Sequence, residues 1–173
     1  FFREAETAGR LQHQNIVQVF ELGQEAGAFF IAMELVDGTA LNQLLKRGVR
    51  PTVPQALAIG VALTRALDYA HSATVDGRPL ELIHRDVTPE NVLLGKNGDL
   101  KLSDFGIAKA RDRLTKTKTG VIKGKLSYMA PEQARAEDID QRVDQWAAGV
   151  VLWEVLTGRP LFRKKGELAI LQA

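Results

Sequence analysis

Three polar residues stand beside apolar runs at a spacing that could do chemistry. Asp86 and Asn91 lie within His84–Leu94, HRDVTPENVLL, and Asp104 follows the run Leu100–Ser103. Asn91 opens a predicted strand, Val92–Leu94, and Asp104 closes another, Leu100–Ser103. Between them GKNGD carries an Asn-Gly pair, which favours a tight hairpin turn. Such a hairpin brings Asn91 and Asp104 to the same end. Two oxygen donors there can hold a hard cation such as Mg²⁺, which takes few protein ligands and fills its shell with substrate phosphates. Asp86 sits one loop earlier, within reach of a substrate hydroxyl near that metal. Any one of these residues alone reads as a turn former. All three, bracketed by strands, read as a site.

The elements that must position them alternate between helices and hairpins. A helix is predicted over Phe2–Gln12, rich in Ala and Glu. Strands follow at Ile16–Leu22 and Phe29–Val36, joined by the turn GQEAG and ended by Asp37 and Gly38. Leu41–Arg47 is predicted as a short helix. Pro54–Ser72 is a longer one, with Ile59, Leu63, Leu67 and Ala70 recurring at helical spacing. The stretch SATVDGRPLE reads as a polar loop punctuated by Gly77 and Pro79. Arg111–Lys125 is basic, rich in Thr and without an apolar period. Arg142–Leu156 is apolar nearly all round, which predicts a buried helix with Trp146 and Trp153 in the core. Gly158 and Pro160 should stop it. Two hairpins plus helices make a mixed α+β chain.

Composition bounds the function. A length of 173 residues favours one domain with a sizeable core. A net charge of +2 gives no argument for nucleic acid, and the absence of cysteine excludes disulfides and thiolate metal sites. No apolar run approaches the ~20 residues of a membrane span; the longest, Trp146–Leu156, is cut by Glu154. No signal peptide is evident, and the expected location is cytoplasmic, although flanking sequence could carry an anchor. The chain does not begin with Met, so it is expected to be a piece of a longer one. It contains neither G-x-G-x-x-G nor G-x-x-x-x-G-K-[ST], so no Gly-rich phosphate cradle is predicted within it.

The motifs resemble those of the protein kinase family. HRDVTPEN resembles the catalytic loop H-R-D-x-x-x-x-N, Asp104–Gly106 the metal-binding DFG, and Ala130–Glu132 the APE that closes the activation segment. DQWAAGVVLWEVLTGRPLF resembles the buried helix beyond, and YMAPEQ and GIAKA point to a bacterial-type serine/threonine kinase. The resemblance implies an incomplete kinase fold. Residues 1–36 would be a remnant of the small lobe (one helix and a hairpin, up to the hinge). Residues 37–173 would be most of the helical large lobe. It implies ATP and Mg²⁺ as cofactors and a protein as substrate, with no nucleic acid and no membrane segment in this chain. Asp86 would accept the substrate hydroxyl proton, and Asn91 and Asp104 would hold Mg²⁺. Arg85 would pair with a phosphorylated activation-segment residue, for which Thr117 and Thr119 are the candidates and Thr115 a weaker one. Glu4 resembles the helix Glu that pairs with the ATP-positioning Lys. Met33 to Val36 resemble the hinge, with Met33 as gatekeeper and the backbone of Glu34 and Val36 facing adenine. Leu93 resembles the residue beneath the adenine ring. His84 and Phe105 resemble stacked members of a hydrophobic spine, and Asp144 the residue that anchors the catalytic-loop backbone.

Two departures bear on the chemistry. The family's catalytic-loop Lys is Thr88 here, and the Thr usual in the substrate-docking loop is Lys125. The two residue types are exchanged, so Lys125 could supply the cation that Thr88 cannot. The Gly-rich loop and the Lys that binds ATP phosphates would lie before Phe1. The chain alone is therefore expected to be inactive. The alternative to an enzyme is a pseudokinase-like interaction module, which usually betrays itself by losing the Asp of HRD or of DFG; both are present.

Overall fold

The computed structural model describes residues 9–26, 28–105 and 126–162. The first described element is an antiparallel hairpin of β1 (Val19–Glu25) and β2 (Ala28–Met33), with Val19 opposite Met33 and a bulge between Val19 and Glu21. It starts three residues later than predicted. Ile16 instead bridges in parallel to Leu102, so Asn15–Val17 lies along another sheet. Most of the helix predicted over Phe2–Gln12 lies outside the described residues; within them, the chain has left helical conformation by Leu11, whose side chain is buried.

A second sheet carries the site. Strand β3 (Gly38–Ala40) pairs with β6 (Val92–Gly95), which pairs with β7 (Leu100–Leu102), all antiparallel. At the β6–β7 turn Gly95 N donates to Asp99 O, and only Gly98 takes a positive φ, of 86°. The loop is therefore the three-residue kind with a left-handed glycine, not a two-residue Asn-Gly turn.

Helix α1 (Leu41–Lys46) follows β3 directly. Helix α2 (Val53–Ser72) begins with a capping box: Thr52 Oγ1 accepts from Gln55 N, and Gln55 Oε1 accepts from Thr52 N. Two of the first orphan donors are thereby satisfied, and Pro54 lies in the first turn, where its missing N–H costs nothing. Ala56, Ile59, Leu63, Ala66, Leu67 and Ala70 are buried at helical spacing. Full burial of a side chain such as Leu63 contributes about 1.5–3 kcal/mol. The predicted irregular loop beyond is a miniature hairpin, β4 (Thr74–Val75) with β5 (Arg78–Pro79). Asp76 and Gly77 take φ of 52° and 74°, the pair of positive values that a type I′ turn requires.

After a short 3₁₀ turn (Leu126–Tyr128) and helix α3 (Pro131–Ala134), α4 (Arg142–Thr157) packs on α2. Gly158 ends α4 in the left-handed region, with its N–H on Glu154 O at 2.7 Å. The expectation that α4 is buried all round is corrected. Val143, Ala147, Ala148, Val151 and Val155 are buried, but Trp146 and Trp153 are 39% and 48% exposed. The buried stripe is made of small residues, and the two indoles lie off it. Trp146 stacks instead on Phe162 at a centroid distance of 6.0 Å.

Candidate active site

The β6–β7 hairpin sets the geometry. Ser103 donates to Asn91 O from its backbone N (2.9 Å) and from Oγ (3.2 Å), which ties the two strand ends, and Asp104 is the next residue. Asn91 is buried, and its Nδ2 donates to Asp86 O (2.7 Å) and Asp86 Oδ2 (3.3 Å). That occupies the amide nitrogen. Asn91 Oδ1, which accepts no hydrogen bond among the described residues, remains as the atom that can face a cation. Asp86 and Asn91 are therefore in contact, and Asp104 leaves the pairing that fixes Asn91. Among the described residues no group of three His, Cys, Asp or Glu side chains could hold a metal. A cation here would need substrate oxygens as well, as Mg²⁺ sites commonly do.

The backbone is strained at Arg85 and Asp104, and the loop that carries Arg85 is anchored. Arg85 and Asp104 take φ of 68° and 65°, a region that costs a non-glycine residue about 1–3 kcal/mol. Asp144, fully buried on α4, supplies the hold on Arg85. Its Oδ1 accepts Arg85 N at 2.7 Å, and its Oδ2 accepts His84 N and His71 Nε2, each at 2.8 Å. A buried carboxylate is tolerated only when donors surround it in this way. His84 is itself a packed, bonded residue. Its Nε2 donates to Ser103 O (2.9 Å), its Nδ1 accepts Asp86 N (3.2 Å), and its ring meets Phe105 edge-on at 4.5 Å. The imidazole thus links the loop that carries Asp86 to the strand end that carries Asp104. Arg85 O accepts from Gln133 Nε2 (3.2 Å), while Arg85 Nε is buried without a partner among the described residues. Thr88 is buried as well, and its Oγ1 likewise has no partner among the described residues.

Met33 ends β2, half exposed. Glu34 N donates to Gln18 O (2.8 Å), and Glu34 Oε2 accepts Gln18 N (3.2 Å). Glu34 Oε1 lies 2.9 Å from Lys101 Nζ on β7. Partial burial pushes the Glu34 carboxyl up, but hydrogen bonds from Lys101 and the Gln18 backbone, with the Lys101 charge, outweigh it and hold the group below its ordinary value. Leu93 lies in the middle of the site-bearing sheet, between Ala40 and Lys101. Val36 is half-buried. Glu4, Thr117, Thr119 and Lys125 lie outside the described residues.

Several contributors had no legible signal. His71 ends an amphipathic helix, and nothing in its spacing points to Asp144. Tyr128 donates to Glu154 Oε2, joining the segment before Pro131 to α4; burial and then that carboxylate push its phenol far up. Gln133 and Lys101 carry no spacing that points to their partners, Arg85 O and Glu34. The cavity of about 550 Å³ bordered by Arg10, His13, Arg65, Tyr69 and Thr74 shares no residue with the site.

The model of the protein kinase domain matches residues 1–173. The chain belongs to the protein kinase family. Its kinase relatives include the tyrosine-protein kinase MasK of Myxococcus xanthus, 43% identical over all of this chain and 28% of that protein. The serine/threonine-protein kinase PknD of Mycobacterium tuberculosis is 42% identical over 93% of this chain and 23% of its own length. PrkC of Bacillus subtilis is 37% identical over 98% and 25%. The chain thus spans about a quarter of these relatives. Among solved structures, the PknI kinase domain of M. tuberculosis matches at a TM-score of 0.72 and 36% identity, over 92% of this chain and 57% of that one. The α+β kinase fold read from the motifs is therefore the fold of this chain.

Proposed function

We propose that the protein carrying this chain transfers the γ-phosphoryl group of ATP to serine or threonine hydroxyls of a protein substrate. The observation that carries the reading is the coupling of Asp86, Asn91 and the Ser103–Asp104 strand end through the Asn91 amide and the Ser103 N–H. In it the Asp86 carboxylate takes the proton of the attacking hydroxyl as the new O–P bond forms and the bond to ADP breaks, a role worth ~10²–10⁴-fold. Asn91 Oδ1 and the Asp104 carboxylate would hold Mg²⁺, which when bound neutralises charge on the phosphates. Met33, the backbone of Glu34 and Val36, and Leu93 would enclose the adenine, and Glu4 would pair with the Lys that positions the phosphates. Arg85 Nε, buried and without a partner among the described residues, suits a phosphate on Thr117 or Thr119, which brings about −1.5 to −2 charge. Thr88 offers a hydroxyl and no charge; its Oγ1, buried without a partner among the described residues, supports the reading that Lys125 supplies the cation beside Asp86. Serine/threonine specificity follows PknD and PrkC rather than MasK. No helix among the described residues is long and apolar enough to cross a membrane, and a catalytic region working in the cytoplasm fits that.

One activity panel on the intact protein tests this. Asp104→Ala should abolish phosphoryl transfer while the fold survives. Lys125→Met should cost far more activity than Lys123→Met, and Thr88→Lys should partly rescue it. Mass spectrometry of the active protein should find phosphate on Thr117 or Thr119. Substantial transfer by Asp104→Ala would overturn the metal assignment, and equal Lys125 and Lys123 variants would overturn the exchange.

A further inference from the structure

We infer that Lys101 is a positioning residue for the nucleotide: its ion pair with Glu34 locks the hinge segment onto the sheet that forms the floor of the adenine site. The inference rests on the kinase reading above and goes beyond it, because neither motif spacing nor that reading gives Lys101 a role.

The argument begins with the direction of one strand. In β7, Leu100 and Leu102 point into the core and are buried, so the alternation of a strand turns Lys101 to the other face. Lys101 stands directly opposite Leu93 in the antiparallel β6–β7 pair, and directly opposite residues share a face. Lys101 therefore rises from the same face as the proposed adenine floor. Its side chain is only 15% exposed, and the Glu34 side chain that it meets at 2.9 Å is 30% exposed. This is neither a solvated surface pair nor a fully buried one.

The pair closes a ring of bonds. Leu102 N donates to Asn15 O (2.8 Å) and Val17 N to Leu102 O (3.0 Å), which fixes the segment before β1 along β7. Gln18 then holds Glu34 by both its N–H and its carbonyl. Lys101 returns from Glu34 to β7, one residue from where the circuit began. Without its ammonium the backbone part of the circuit remains, so the fold should persist. What is lost is the side-chain link, seen among the described residues, between Glu34 and the strand that pairs with Leu93. The structure thus predicts a defect in placing the base rather than in folding or in proton transfer.

The test uses the intact protein. Lys101→Met should raise the KM and the dissociation constant for ATP about fivefold, with kcat and the KM for the protein substrate changed less than twofold. Lys101→Arg should restore most of the affinity. Glu34→Gln should weaken ATP similarly, and the double variant should be no worse than either single one, because both remove the same link. A lower melting temperature with unchanged ATP affinity would show a structural ion pair only and overturn the inference. So would additive effects in the double variant. If the wild type binds ATP but transfers no phosphate, and Lys101→Met still weakens ATP, the inference stands while the transfer reading falls. If the wild type binds no ATP, both fall.

Discussion

Two carboxylates hold this molecule together in contrasting ways. Asp144 sits in the core and meets donors from His71, His84 and Arg85, two of them backbone N–H groups. Glu34 sits partly in solvent and meets one flexible ammonium and one backbone N–H. The first arrangement offers little freedom, because removing the acceptor strands buried donors. The second can lengthen, since a Lys stem has several rotatable bonds and water is at hand to replace it. The loop carrying Asp86 is thus held by buried hydrogen bonds, and the segment at Glu34 by a partly solvated ion pair.

The largest expected effect breaks the hard side. Asp144→Ala leaves the His84 and Arg85 N–H groups and the His71 ring without their acceptor and should cost roughly 3–5 kcal/mol. Denaturant unfolding measures it; a loss below 1 kcal/mol would mean that the strained Arg85 backbone is held by something else. His71→Phe keeps the ring volume but removes one donor, so about 1–2 kcal/mol is expected. That value should fall clearly below the loss in Asp144→Ala if the donors of Asp144 act separately.

The smallest effect belongs to the hinge. Glu34→Gln should change stability by less than about 1 kcal/mol at neutral pH, and less still in high salt. Its pH dependence has a definite sign. The folded group is held below the ordinary 4.5, so its contribution is fully present above that value and is lost as pH falls through the depressed folded value. The difference between wild type and Glu34→Gln should therefore be flat near neutrality and shrink in acid. A difference that grows in acid would contradict the Lys101 pairing.

The same contrast separates what could be read early from what could not. The closeness of Asp86, Asn91 and the Ser103–Asp104 strand end was legible because each stands at the end of an apolar strand or in the loop before one, and hairpin geometry alone brings strand ends together. Helix α2 was legible from its apolar period, and the observed start at Val53 differs from the expected one by a single residue. The hairpin at Thr74–Pro79 was read as an irregular loop. Its strands of two residues each carry no alternation to detect, even though Asp-Gly is a strong turn pair. Trp146 and Trp153 were misplaced because hydropathy reports how apolar a helix is, not which side a neighbour approaches.

The sequence by itself determined the family, the α+β class, the motifs that resemble those of the family and most of the elements. These depend on local period, on turn chemistry and on residues only a few positions apart. Tertiary structure alone decided that Asp144 serves His71 as well as the catalytic loop, that Thr88 and Arg85 carry buried polar atoms without partners among the described residues, and that Lys101 reaches Glu34. Each of these joins groups far apart in the chain, or depends on burial. A hydrogen bond or an ion pair acts over a few ångströms of space, and sequence separation does not record that distance until the core has closed.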